Sequence, residues 1–269
     1  MKQIYTKLRY VVWPWMRAAW LDLTSAPPPP LVPNRRDIFI GLGDFVAGGN
    51  QIQRELEKNG LTPDMAVLDI GSGQGRAARP MTEFLSEKGS YTGLEIVKRG
   101  VDWCKKNYTA YPNFDFVHAD IYNKVYNRKG TNKGSEYRFP FEDNSFDFIF
   151  LTSVFTHMLK ADVENYLSEM RRVLKPGGRT FITWFILNDE THETILSGRA
   201  AFVFQHAFDP VSYVVSQKNP EGTIGFKEDY VRDQLATHDL QLQGDIYRGN
   251  WAVSGGHFFQ DYTVADKII

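Results

Sequence analysis

Three acidic residues, each at the end of a short apolar run, have the types and spacing that suit chemistry: Asp69 in VLDI, Glu95 in YTGLEI and Asp120 in FDFVHAD. Asp69 leads directly into a glycine loop, VLDIGSGQGR, which holds Gly71, Gly73 and Gly75. Such a loop after a strand brings backbone N–H groups up to a small ligand. The dinucleotide fingerprint is G-x-G-x-x-G, but Arg76 stands in the place of its third glycine, and Asp69 would meet a pyrophosphate with like charge. The loop suits a cationic amino-acid group instead. Glu95 is spaced to accept both hydroxyls of a ribose, and Asp120 to accept a hydrogen bond from an adenine amino group. Each acid alone reads as a helix cap or a surface carboxylate. At the carboxyl ends of three consecutive parallel strands they read as one site.

The elements that must position these groups follow an alternation of strand and helix, which predicts an α/β fold, doubly wound around a mainly parallel sheet. The strands are MAVLDI, YTGLEI, FDFVHAD, FDFIFLT and RTFITWFI. ADVENYLSEMRRVL places Val163, Tyr166, Leu167, Met170, Val173 and Leu174 on one helical face and is expected to stop at KPGG. GRAARPMTEFLSEKG reads as a helix ended by Gly89, with Pro80 implying a kink or a late start. From about 189 to 226 the alternation fails, which predicts an inserted helical or loop segment. KEDYVRDQLATHDL resumes as helix, and QLQGDIYRG and FFQDYTVADKI read as two antiparallel final strands. NKVYNRKGTNKGSEYR is too polar for core and reads as a loop.

With 269 residues the chain is long enough for one large domain, expected over 36–269. Residues 1–35 precede it as an aromatic, basic segment and a Pro-rich connector, APPPPLVPNRRD, that reads as stiff and extended. The segment holds Lys2, Lys7, Arg9 and Arg17, no acid before Asp22, and Trp13, Trp15 and Trp20. It reads either as a brace packed on its own domain or, over residues 1–21, as a contact with an anionic membrane surface. Charge is balanced, 31 basic against 32 acidic residues, which argues against nucleic acid as a partner. The single cysteine, Cys104, excludes an internal disulfide, reads as a packing residue and points to a reducing, cytoplasmic setting. No apolar run is long enough for a membrane span.

As an ordered set, VLDIGSGQGR, YTGLEI, HADIY, FPFEDNSFDFIFLTSVFTHM and RRVLKPGGRTFIT resemble the motifs of the class I S-adenosylmethionine-dependent methyltransferases, strongly over about residues 38–187. The resemblance implies a seven-stranded sheet with its last strand antiparallel. It implies S-adenosylmethionine as cofactor and S-adenosylhomocysteine as product. Asp69, Gly71 and Gly73 would hold the methionine end, Glu95 the ribose, and Asp120 with Ile121 the adenine. Ser72, Gly75 and Ile96 are counted among the cofactor contacts in the same loops. Thr152 and Ser153 would line the floor near the sulfonium. IGLGDFVAGGNQ is similar to the segment that closes over the methyl donor in many relatives, which adds Gly43, Asp44 and Phe45.

Methyl transfer is an in-line displacement that needs neither metal nor covalent intermediate. For a hydroxyl acceptor a base near neutral pKa helps. His157, just past the fourth strand, is the first candidate, with a pocket wall as its alternative role. His206, in the insertion, is the second. His118, His238 and His257 read as structural or solvated. The acids in EDN at 142–144 read as a turn rather than a metal site. Lys124, Arg128, Lys129, Lys133 and Arg138 in the polar loop would steer an anionic small-molecule acceptor. The expected reaction is O-methylation, with a sugar or glycan-type hydroxyl as one such acceptor. The rival readings are a nicotinamide-dependent oxidoreductase and a cofactor-binding scaffold without catalysis. A nucleic-acid methyltransferase is disfavoured by LTSVF where N/D-P-P-Y/F would stand.

Overall fold

The structure is a computed structural model that describes residues 13–24, 26–39, 43–252 and 256–268. Lys2, Lys7 and Arg9 of the basic segment, and Ile40 to Leu42 of the closing segment, lie outside the described residues.

Seven strands form the central sheet, and their sequences explain its order. β1 (Ala66–Ile70) and β4 (Phe146–Leu151) are nearly continuous apolar runs, as strands covered on both faces must be. They pair with each other at the centre, flanked by β2 (Ser90–Glu95) and β3 (Phe114–His118) on one side. On the other side lies β5 (Leu174–Trp184). All of these pairs are parallel. β11 (Asp261–Lys267) runs antiparallel between β5 and β10 (Leu240–Leu242), so the two terminal strands close the sheet in the expected sense.

Side-chain alternation divides the core into two layers. Leu68, Ile149, Leu151 and Ile182 face α5 (Lys160–Val173) and α7 (Glu228–Thr237), which contribute Val163, Leu167, Met170 and Val231. Val67, Phe148, Phe150 and Phe181 face α2 (Phe45–Lys58), α3 (Ala78–Phe84) and α4 (Lys98–Asn107). Cys104 is buried in this second layer, where burial pushes its thiol up. It is a packing residue. α1 (Trp13–Thr24) lies outside both layers, against a single turn at Arg35–Asp37.

Three local expectations are refined. α5 ends at Val173 with Leu174 as its cap, directly before KPGG, but KPGG is also the bulged entry to β5, where pairing shifts register between Phe146 and Phe148. α3 has the late start that Pro80 implied, at Ala78 two residues before it, but ends at Phe84, well before Gly89. A first-turn proline costs no helical hydrogen bond. Gly89 is instead required by packing, because a Cβ there would lie 2.2 Å from the Pro63 carbonyl oxygen. The insertion holds more than helix and loop. After α6 (Asp189–Leu196) it adds β7 (His206–Ala207), β8 (Ser212–Val214) and β9 (Ile224–Lys227) to β6 (Ile186–Leu187), which precedes that helix, making a second sheet in the order β6-β9-β8-β7. Strands of two to four residues are too short to show periodicity in sequence.

The candidate cofactor and acceptor site

The carboxyl ends of β1, β2 and β4 open into a cavity of about 810 Å³, a size that holds a cofactor with a second small molecule. Asp69 stands at the end of β1, buried on the cavity wall. The Tyr91 hydroxyl donates to its Oδ2, while Oδ1 has no hydrogen-bond partner. Burial raises its pKa to about 7, the Tyr91 bond acts against the rise, and Glu95 nearby adds to it.

The glycine loop turns immediately after Asp69. Gly71 has φ +80°, and a Cβ on it would lie 2.4 Å from Val154 Cγ2, so no side chain fits this turn. Glu95 holds the loop to the end of β2: its Oε2 accepts the Gly73 N–H at 2.7 Å and its Oε1 the Val97 N–H at 2.7 Å. Burial pushes Glu95 up as well, and those backbone donors oppose the shift. Two raised carboxyls therefore share one cavity, and a cationic ligand group would stabilise both in ionised form.

Asp69, Gly71, Ser72, Glu95, Ile96, Ile121, Thr152 and Ser153 all lie on the lining, as does Gly43. Gly73, Gly75, Asp44 and Phe45 do not. Gly73 contributes its N–H to Glu95, and Gly75 accepts the Tyr108 hydroxyl at 3.1 Å. Asp44 caps α2 by accepting the Ala47 N–H at 2.7 Å, and the Phe45 ring lies under the Arg76 guanidinium. Asp120 is the main departure. Its carboxylate accepts the Thr131 hydroxyl at 2.6 Å, which lowers its pKa, and it is absent from the lining. The loop that follows β3 folds back and engages this acid, so the convergence of three acids is reduced to two.

His157 lies on the lining within a single turn, Phe155–His157. Its Nδ1 is 3.0 Å from the Glu221 carbonyl oxygen, which fixes that nitrogen as the protonated one. Nε2 is left with its lone pair, 3.5 Å from the Tyr126 hydroxyl. Burial lowers the His157 pKa, so the ring is neutral. His206 does not reach the cavity: it sits half-buried on β7, with Nε2 3.3 Å from the Gln205 amide nitrogen. β7 is the outer strand of the small sheet, which carries it away from the lining. His118 is bound to the Ile96 carbonyl and His238 to that of Gln234, and His257 is exposed.

Sequence reasoning missed the residues that enclose the site from above. Tyr126 comes from the polar loop, Phe185 from the junction between β5 and β6, Phe202 from the insertion, and Phe259 and Gln260 from the segment before β11. Gln260 accepts the Ser153 hydroxyl at 2.9 Å, and Ser153 itself has φ +60°, a strained backbone at the cavity floor. Gln51 on α2 donates to the His257 carbonyl at 2.9 Å and links the opposite wall. The aromatic pair in FFQD was a visible signal, but nothing local in the sequence aims it at the β1 loop.

The basic loop serves the cap. The Lys124 N–H donates to Glu221 Oε2 at 2.5 Å and its ammonium to the Lys218 carbonyl at 2.7 Å, and Lys133 pairs with Glu136. None of the five basic residues lies on the lining. The 142–144 acids sit in a turn where Asp143 pairs with Arg172. Among the described residues no group of three His, Cys, Asp or Glu side chains is placed to hold a metal ion.

Residues 68–182 match the family described as methyltransferase domain. The sterol 24-C-methyltransferase of Schizosaccharomyces pombe is 30% identical over 136 residues, 51% of this chain and 32% of that protein. The phthiotriol/phenolphthiotriol dimycocerosates methyltransferase of Mycobacterium tuberculosis is 33% identical over 112 residues, 42% of this chain and 34% of its own length. The chain thus spans about a third of the length of the curated relatives it matches. In fold it is similar to the Burkholderia thailandensis 1,6-didemethyltoxoflavin-N1-methyltransferase, solved with 1,6-didemethyltoxoflavin and S-adenosylhomocysteine. The TM-score is 0.52 at 16% identity, over 87% of this chain and 82% of that one.

Proposed function

We propose that residues 68–182, which match a methyltransferase domain, form the core of a class I S-adenosylmethionine-dependent methyltransferase that transfers a methyl group to a hydroxyl on a small, largely apolar acceptor. The observation that carries the reading is the buried Asp69 carboxyl with its unpartnered Oδ1 on the cavity wall, beside Glu95. A buried carboxyl with one oxygen left unpartnered is costly, and an amino-acid ammonium group is the partner that fits that oxygen. The residues present therefore suit the cofactor of this domain class. Asp69, Ser72 and the Gly71 turn hold its amino-acid end, Glu95 and Ile96 its ribose, and Ile121 its base.

When bound, S-adenosylmethionine supplies a methyl group on a sulfonium that is already an excellent leaving group. The protein's task is to hold the acceptor in line and keep water out. Thr152 and Ser153 form the floor, and the rings of Phe185, Phe202, Phe258 and Phe259 line the cavity with apolar surface. Neutral His157 accepts the hydroxyl proton at Nε2, with Nδ1–H held by the Glu221 carbonyl and Tyr126 orienting the acceptor oxygen.

The aromatic lining favours an acceptor with an apolar body over the sugar or glycan alcohol expected from the basic loop. The named relatives, a sterol 24-C-methyltransferase and a phthiotriol/phenolphthiotriol dimycocerosates methyltransferase, agree with an apolar body. The first of them also supports a second reading, transfer to carbon. Methyl-labelled S-adenosylmethionine offered with phenolic, sterol-like and sugar-nucleotide acceptors separates the two, because the labelled product is an ether or a new C–C bond. For oxygen transfer, His157→Gln lowers kcat about 100-fold or more while the dissociation constant of S-adenosylhomocysteine stays within about twofold. Unchanged kcat in that variant removes the base from the mechanism.

A further inference from the structure

α1 has an apolar face that nothing in the described structure covers. Met16, Trp20 and Leu23 are 55%, 62% and 80% exposed. Their spacing of four and three residues puts them within an arc of about 60° on one side of the helix. The orientation is fixed from the other side. The Asp22 side chain is only 6% exposed, and its carboxylate accepts the Arg35 N–H at 3.0 Å and the Arg36 N–H at 3.1 Å. The helix is thus pinned by a polar contact that leaves its apolar stripe outward, the reverse of a helix bracing a core. Exposed apolar residues grouped in this way mark a contact surface.

Charge identifies the partner. Residues 1–36 hold six basic side chains, Lys2, Lys7, Arg9, Arg17, Arg35 and Arg36, against the single acid Asp22, leaving 25 basic against 31 acidic residues in the rest of the chain. A net-acidic domain preceded by a basic, Trp-rich segment has its charge divided as a peripheral membrane protein requires. At 12 residues the helix is too short to span a bilayer. We propose that α1 lies flat on an anionic lipid surface, with Met16, Trp20 and Leu23 in the acyl boundary and the net positive charge of residues 1–36 drawing the segment to the headgroups. The connector then runs through Arg35–Asp37 to Gly43 and α2, which line the cavity, so the docked face is tethered to a wall of the site.

The test is flotation of the full chain with vesicles of equimolar phosphatidylglycerol and phosphatidylcholine, and with vesicles of phosphatidylcholine alone. The comparison variant is Met16→Ser, Trp20→Ser, Leu23→Ser combined. Wild type is expected to float with the anionic vesicles, to be released by salt of about 0.5 M, and to bind the zwitterionic vesicles weakly. The triple variant loses about tenfold or more of the bound fraction while it retains S-adenosylhomocysteine binding, which shows that it is folded. Failure of wild type to float with anionic vesicles overturns the proposal, as does flotation of the triple variant equal to wild type. Sedimentation equilibrium on both proteins reads the rival occupant: a wild-type dimer that the variant dissociates, with no vesicle binding, makes the stripe a contact between copies and the proposal false.

Discussion

At Asp69 the fold holds a carboxyl whose ionisation it disfavours until a ligand arrives. Its pKa of about 7 lies above the ordinary value of 3.8, so between those limits the folded chain holds a proton that the unfolded chain has released. Stability of the ligand-free protein should fall as pH rises from about 4 to 7, by about 4 kcal/mol from this group, and then level off. Asp69→Asn removes that slope. Urea unfolding at pH 5 and pH 8 checks it, with the variant gaining on wild type at the higher pH; an equal difference at both values would show that Asp69 titrates normally. Ligand binding runs the other way, because an ammonium group needs the ionised acid. Affinity for S-adenosylhomocysteine should be about tenfold weaker at pH 6 than at pH 8 in wild type, and this pH dependence should disappear in the Asn variant. Tyr91→Phe strips the one donor from the carboxylate, and is expected to cost about 1–3 kcal/mol in denaturant unfolding and to weaken cofactor binding further.

Among the elements, those covered on both faces were legible and those defined by remote contacts were not. β1, β2, β3 and β4 each sit within a residue or two of the runs read from sequence, because a parallel strand between two helical layers must be apolar throughout. The helix at 160–173 carried the same clarity in its 3.6-residue period. Asp69 and Glu95 could be placed because they follow directly from strand ends. Asp120 misled because its partner, Thr131, lies in a loop with no periodicity. The second sheet was invisible for a related reason, since its strands are too short to carry a pattern and are ordered by pairing with one another and, through β9, with β6. Two variants test the elements that were read through contacts. Gly71→Ala forces a Cβ to within 2.4 Å of Val154 at φ +80°, and should cost about 1–3 kcal/mol or more in denaturant unfolding with cofactor binding lost. A cost under a few tenths would mean the turn is free to relax. Lys124→Ala removes the ammonium bond to Lys218 that ties the polar loop to the cap, and should raise the acceptor KM several-fold while leaving S-adenosylhomocysteine affinity unchanged.

For the molecule as a whole, the sheet supplies the wall for the cofactor and its appendages supply the aromatic lining that we propose holds the acceptor. The domain across residues 68–182 supplies the two buried carboxyls and the glycine turn. The aromatic cap comes from the insertion and from the segment before β11, outside that span. Among the described residues no helix is long and apolar enough to cross a membrane, and the exposed apolar stripe of α1 stands apart from both ligands. The central claim concerns the first ligand, and calorimetric titration with S-adenosylhomocysteine, with NAD as the comparison, tests it most directly on wild type and Glu95→Gln. The account predicts one site for S-adenosylhomocysteine, no binding of NAD, and affinity about tenfold weaker in the variant with its circular dichroism unchanged. Binding of NAD, or no binding of S-adenosylhomocysteine to the folded wild type, would contradict it.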